Sequence, residues 1–389
     1  MSKATLIGNG VEGMLKLVRL ALAICLLAGA LSEIALAQQV PGTQRDLAFD
    51  ALMKTVDLDD PALRLDYKNP ASDGSSIGVF VGRGDKPAGA SFVPTNTSSV
   101  PEAEVVSYRL ARFLGVSRNY FPVDYYNLGP KAFAKFRDMV LQTPEFEDDR
   151  ITNRKLVIKA LKANPVSILG IYRLKPKTKM YPSRTLGTQG QFNRSSELGQ
   201  AIRATGPMPG PQLMRLVGIK GGGVGYPSPP AEQGVELARQ LSTIFVIDQL
   251  LGQWDRFWEN LEASGDKTGR LKLIARDNGG ATLDDWEEFE TYNRLVSRYD
   301  REVIARLTSL NAFLKGEAKE FSGFSDVKKW QSAAGFIEPA SFETFARKLD
   351  FFVGKRIPAL VEQEGEATFF PPKSPEILML DAADTGEDD

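Results

Sequence analysis

Between residues 63 and 114 the chain alternates short apolar runs with tight turns and then changes period, which restricts the fold more than any other feature of the sequence. The runs "LRLDY", "IGVFVG" and "AGASFVP" are separated by "NPASDGSS" and "RGDKP". Runs of this length bounded by Gly, Pro, Asp and Asn predict three short antiparallel strands. Pro101 and Glu102 then open a helix in which Val106, Leu110, Phe113 and Leu114 recur on one face, while Glu104, Tyr108 and Ala111 fall on the opposite one. Later segments read as mostly helical: residues 130–165, an apolar helix over 234–252, and helices from Trp286 to Phe351. "SILGIYRL", residues 167–174, reads as a strand, and the Pro- and Gly-rich stretch from Lys175 to Pro230 reads as irregular loops. The order implies an α+β chain, a small β-rich lobe on a mostly helical one.

Chemistry is limited by what the chain lacks. It contains no histidine, so Ser-His-Asp hydrolysis, histidine general bases and His-ligated metals are excluded. The single cysteine, Cys25, lies in an apolar run from Leu20 to Leu31. Lys3, Lys16 and Arg19 precede that run and Ala35-Leu36-Ala37 follows it, the pattern of an export signal cleaved before Gln38. Ile24 stands before Cys25 where a lipoprotein site requires a small residue, which argues against lipidation. The mature chain would be free of thiols, located in the periplasm or secreted, and in contact with a membrane only through the signal. Any metal must be a hard cation held by oxygen. Formal net charge is −1 with no block of Lys and Arg, so nucleic acid is not an expected partner.

The segment "WDRFWENLEASGDKTGRLKLIARDNGGATL", residues 254–283, follows the apolar helix. It reads as a loop anchored by Trp254, Phe257 and Trp258, then a strand, a turn and a second strand that returns Asp277 toward Asn260. A carboxylate and an amide oxygen suit Mg²⁺ or Mn²⁺ and leave coordination positions for water and phosphate. Asp255 would be free to accept a proton from an attacking hydroxyl. The bland alternative is that these residues only form turns, as Asp and Asn often do. "GIKGGGVG", residues 218–225, lacks the Gly-Lys-Ser/Thr ending of a phosphate loop and reads as a surface loop.

Asp255-Arg256-Phe257-Trp258-Glu259-Asn260 resembles the Asp-Arg-His-x-x-Asn catalytic loop of phosphatidylinositol 3- and 4-kinases and related atypical kinases, with Phe257 in place of histidine. Asp277-Asn278-Gly279 is similar to the metal-binding Asp-Phe-Gly element, in the form seen in secretory-pathway kinases such as the Golgi casein kinase and its relatives. "AGASFVP", "EAEVVSYRLARFLGV" and "FPV" resemble the family's third strand, its glutamate-bearing helix and the step into the next strand. The resemblance implies a bilobal kinase-like fold with a signal peptide over 1–37, an extension over 38–60, an N-lobe over 61–130, a C-lobe over 131–365 and an acidic, disordered tail over 366–389. It implies ATP and Mg²⁺ or Mn²⁺ as cofactors, Asp255 as base, and Asn260 and Asp277 as metal ligands. Glu104 would take part in nucleotide binding, and residues 69–76, with Gly74, Ser75 and Ser76, would cover the phosphates. A protein, sugar or lipid hydroxyl would be the acceptor.

One position departs from the pattern. Where the family has a lysine on the third strand, this chain has Val93. Either another cation such as Lys86, Arg83 or Lys68 reaches the phosphates, or Glu104 lacks its partner and the chain is an inactive pseudokinase that serves as a binding or scaffold protein.

Overall fold

The structure is a computed structural model that describes residues 40–68, 77–86, 88–94, 100–142, 158–159, 161, 167–174, 180–182, 231–254, 256, 260–265, 271–284, 286, 289–290 and 296–373. After a first helix, α1 (Gln44–Met53), the three expected strands form: β1 (Leu63–Lys68), β2 (Gly78–Arg83) and β3 (Ala90–Pro94). Helix α2 (Pro101–Phe113) follows, then β4 (Val123–Asn127), α3 (Pro130–Gln142) and β5 (Leu169–Leu174). These strands make one antiparallel sheet in the order β1-β2-β3-β5-β4. The sheet therefore takes β5 from beyond residue 131, where a helical lobe was expected to have begun. The cause is local: Ile171 and Tyr172 are buried and pair with Val93 and Phe92 of β3. Gly170 lets the two strands approach, since a Cβ there would stand 2.4 Å from the Val93 carbonyl oxygen and 2.7 Å from the Phe92 ring.

A second sheet of three short strands, β6 (Met180–Pro182), β7 (Leu261–Gly265) and β8 (Leu271–Ala275), is also antiparallel. β7 and β8 are the predicted hairpin. β6 lies within the stretch expected to be all loop, and it sits at the sheet edge with Pro182 at its end, a place where a residue without an N–H is tolerated. Between the sheets and the C-terminal helices runs α4 (Ala231–Leu251), with Leu237, Leu241, Ile244, Phe245, Ile247 and Leu250 in the core. The remainder is helical: α5 (Arg301–Leu314), α6 (Val327–Ala333), α7 (Pro339–Phe351) and α8 (Ile357–Glu364). No helix among the described residues is long and apolar enough to cross a membrane.

The sequence pattern gave α2 one apolar face, but every residue of it except Arg109 is buried. It is covered from two sides. On one, Asp46 of α1 caps its own helix with Thr43 and accepts hydrogen bonds from the Tyr108 hydroxyl at 2.8 Å and the Ser117 hydroxyl at 2.5 Å, while Arg112 makes a double contact with Asp50 at 2.8 Å. On the other, Glu102 accepts from the backbone N–H groups of Ile337 and Glu338 at 2.7 and 3.0 Å, and Arg109 donates to the Ala333 carbonyl at 3.2 Å. Phe113, at the end of α2, packs on Trp330 with ring centres 5.6 Å apart, and Trp330 in turn stacks on Phe345 at 6.2 Å.

Burial pushes the Asp46 carboxyl up, but Arg45 and the bonds from Ser117, Thr43 and Tyr108 outweigh it and hold the group below its ordinary range. Its stabilising contribution is therefore present at neutral pH and fades as the pH falls through the lowered folded value. Replacing Asp46 by alanine leaves the Tyr108 and Ser117 hydroxyls without this acceptor and is expected to cost about 1–3 kcal/mol at neutral pH. The deficit should narrow in acid, and chemical denaturation of both proteins across pH measures it.

Residues 366–371, expected to open the disordered tail, are held against the helical part. Thr368 and Phe370 are buried, the Tyr299 N–H donates to the Thr368 carbonyl and the Phe370 N–H to the Tyr299 carbonyl, and Arg239 donates to the Pro371 carbonyl at 2.6 Å. The two phenylalanines and the guanidinium groups over them, Arg298 on Phe370 and Arg301 on Phe369, anchor a segment whose acidic composition had suggested solvation.

Candidate functional site

The apolar helix α4 ends at Gly252, whose backbone is left-handed at φ +71° and whose Cβ, if it had one, would stand 2.5 Å from the Thr282 carbonyl oxygen. The chain then runs beside residues 280–282: Thr282 donates to the Gly252 carbonyl at 2.9 Å and Trp254 to the Gly280 carbonyl at 3.2 Å. This seats the start of the proposed catalytic loop next to the Asp277-Asn278-Gly279 turn. Asp255 itself lies outside the described residues, as do Gly74, Ser75 and Ser76.

Arg256 holds the two segments together. Its guanidinium is buried and bonds both Asp248 carboxylate oxygens at 2.8 Å, the Asn260 carbonyl at 2.6 Å, the Arg276 carbonyl at 2.7 Å and the Asn278 side-chain oxygen at 2.6 Å. Because Arg276 also donates its N–H to the Asn260 carbonyl at 2.8 Å, Asn260 sits across the hairpin from Arg276, one residue before Asp277. The hairpin does bring Asn260 toward Asp277 as the sequence suggests. Burial pushes the Asp248 carboxyl up, opposed by Arg256.

Asp277 adopts φ 45°, ψ 52°, the left-handed region that non-glycine residues rarely enter. This turns the chain from β8 into the short helical turn of Asn278–Gly280 and leaves the Asp277 side chain 46% exposed. Directly below it Glu104 of α2 is 2% exposed. Helix and turn are tied at the backbone, where Val100 donates to the Gly279 carbonyl at 2.9 Å, and through the Asn278 amide, which donates to Glu104 at 3.4 Å. Burial raises the affinity of Glu104 for a proton and the nearby Asp277 charge adds to this, while Arg173, the Gly279 N–H and Arg256 oppose it; the net direction is upward.

Glu104 does not lack a cation. Arg173 of β5 places one terminal nitrogen 3.3 Å from the Glu104 carboxylate and 2.8 Å from that of Asp277. Val93, at the family's lysine position, is buried opposite Ile171. Lys86 stands exposed in the β2–β3 turn, where its carbonyl accepts from Arg64, and Arg83 pairs with Asp60 at 3.3 Å. Lys68 closes β1, and its side chain lies outside the description. Arg173, Asn278, Arg256 and Asp248 were not assigned roles from the sequence. The available signal was an arginine in the otherwise apolar run "SILGIYRL" and an aspartate inside the apolar helix. Such positions rarely hold unpaired charge.

Among the described residues no three His, Cys, Asp or Glu side chains converge into a closed metal cage. What is present is a half-exposed carboxylate, Asp277, with Asn260 close to it along the hairpin ladder, oxygen-bearing side chains of the type that hard cations such as Mg²⁺ or Mn²⁺ prefer.

No protein-family model matches the chain, and no curated protein matches it in sequence. Solved structures do match. A crystal structure of the Golgi casein kinase with Mn and ADP bound is similar over 83% of this chain and 78% of that one, at 14% identity and a TM-score of 0.53. A second structure of the Golgi casein kinase covers 82% and 76%, at 13% identity and the same TM-score. The fold is kinase-like. The likeness agrees with the secretory-pathway side of the resemblance and gives the phosphatidylinositol-kinase side no separate support. In that fold the antiparallel sheet corresponds to an N-lobe, accompanied by the helical regions.

Proposed function

We propose that the chain is an exported kinase-like phosphotransferase that uses ATP with Mg²⁺ or Mn²⁺ and acts on a hydroxyl of a protein, sugar or lipid. The observation that carries this reading is the meeting of Glu104, Arg173 and Asp277 at the junction of the sheet, α2 and the β7–β8 hairpin, with Asn260 one residue away across the ladder. Binding of Mn and ADP by the similar Golgi casein kinase structure supports the same ligand class. In this reading Asp277 and Asn260 hold the cation, which when bound offsets phosphate charge. Asp255 takes the proton of the acceptor hydroxyl as its oxygen forms a bond to the γ-phosphorus and the bond from that phosphorus to the bridging oxygen of ADP breaks.

A second reading has a specific observation in its favour. Val93 in the core and an Asp277 oxygen already engaged by Arg173 also fit a pseudokinase that binds partners without catalysis. Thermal unfolding with and without nucleotide separates ligand binding from its absence. A ligand at a hundred times its dissociation constant adds about 2.7 kcal/mol to the folded state. The expected result is a rise in melting temperature with ATP that requires Mg²⁺ or Mn²⁺. Absence of any shift at millimolar ATP and metal would remove the phosphotransferase reading.

A further inference from the structure

The register of β3 against β5 relates Val93 to Arg173. Val93 pairs with Ile171, and Ser91 with Arg173, so these four residues lie on one face of the sheet. Arg173 is the diagonal neighbour of Val93, and such neighbours stand roughly 7–8 Å apart across an antiparallel pair. A side chain as long as arginine spans that gap, so a cation rooted one strand over reaches the place a lysine at Val93 would have served. It does so in this fold, where it meets the helix glutamate and the turn aspartate together.

The arginine also has donors to offer. One terminal nitrogen serves both carboxylates, while Nε and the second terminal nitrogen donate to none of the described residues. The side chain is 14% exposed and lies against Asp277, the open edge of the cluster. The Glu104 and Asp277 carboxylates fix its position. A planar guanidinium with unused N–H groups suits phosphate oxygens.

We propose that Arg173 is the phosphate-binding cation of this site, moved from the third strand to the fifth, so that the absence of lysine at Val93 is a relocation and not a loss. This rests on the nucleotide-binding reading above. It gives Arg173 two tasks: orienting through Glu104, as the missing lysine would, and contacting nucleotide phosphate.

Calorimetric titration of the full chain with ATP, ADP and adenosine, each with Mn²⁺, tests this. Arg173→Met keeps the stem but removes the charge, and is expected to weaken ATP by about 10- to 100-fold, the range for losing hydrogen bonds to a charged group. Adenosine, which has no phosphate, should bind as before. A purely structural arginine would not separate the two ligands. Because Arg173→Met strands the buried Glu104 charge, the double variant Arg173→Met with Glu104→Gln is measured beside it, and circular dichroism establishes that it is folded. Adding Val93→Lys to Arg173→Met should restore ATP affinity from the original strand. If the wild-type chain binds neither ATP nor ADP, the nucleotide reading and this inference fall together. If it binds ATP and the folded double variant binds it equally well, the inference alone is overturned.

Discussion

Arg256→Ala is expected to lower the stability of the folded chain by about 3–5 kcal/mol, the range for removing one partner of a buried ion pair. The guanidinium is fully buried, and its loss leaves the Asp248 carboxylate as an uncompensated charge in the core beneath α4. It also removes the donor to the Asn260 and Arg276 carbonyls and the Asn278 side-chain oxygen, three acceptors on both sides of the site. The pH dependence identifies the cause. Burial already pushes Asp248 upward with only Arg256 opposing it, so in the variant the carboxyl rises further. A raised carboxyl favours the folded state at low pH and loses that advantage as the pH climbs through its folded value. The variant should therefore lie furthest below wild type at neutral pH and approach it in acid. Replacing the pair together, Arg256→Met with Asp248→Leu, should recover the part due to the stranded charge and leave the part due to the three acceptors that lose this donor. Urea denaturation of the three proteins at two pH values reads both parts; a deficit in Arg256→Ala that does not shrink in acid would contradict the assignment.

Asp277→Ala and Asp255→Ala should both lose phosphoryl transfer, but in different ways. At Asp277 a methyl group cannot hold a divalent cation or help offset phosphate charge, so metal-dependent turnover is expected to disappear along with the metal-dependent part of nucleotide binding. The variant should not unfold, because Asp277 is half exposed and its backbone ties run through Gly279 and Asn278. The left-handed strain at this residue is not relieved, since alanine there pays at least the penalty that aspartate does. At Asp255 the lost group is the proton acceptor, for which a fall of about 10²–10⁴-fold in turnover is the expected scale, with metal-dependent ATP binding kept. Measuring ATP turnover and ATP binding for each variant distinguishes the two. Equal loss of binding in both would mean that Asp255 serves the nucleotide and not the acceptor.

What could be read from the sequence was local. Strand lengths, the α2 start at Pro101 and the β7–β8 hairpin follow from period and turn chemistry within short windows, so the hairpin could be trusted to bring Asn260 toward Asp277. The partner of Glu104 could not be found this way. It depends on the register between β3 and β5, strands separated by a helix, another strand and a further helix, and nothing in either strand alone encodes which residue faces which. Arg173 was visible only as a charge in an apolar run. Arg256 was noticed as part of a motif, but its buried role needs Asp248 to come from the preceding helix at the right height. The one-sided pattern of α2 misled for a related reason: polar residues such as Tyr108, Arg112 and Glu102 find buried partners on α1 and the 337–338 segment, so polarity did not mark a solvated face. At the start of the expected tail, the acidic composition obscured Phe369 and Phe370, which hold residues 366–371.

The double covering of α2 bears on regulation. A helix that carries a site glutamate can act as a switch when it is free to swing, the site being assembled in one position and taken apart in the other. Here one flank is fastened to the segment that follows the predicted cleavage point, through Asp46 and Asp50, and the other to the C-lobe through Glu102, Arg109 and Phe113. Swinging Glu104 away would break buried ion pairs and an aromatic cluster at once, so the two-position equilibrium on which such switches depend is closed to this helix. For a phosphotransferase of the kind proposed, control would then fall to events away from this helix: when the chain is synthesised, where it is sent, and which acceptor it meets there.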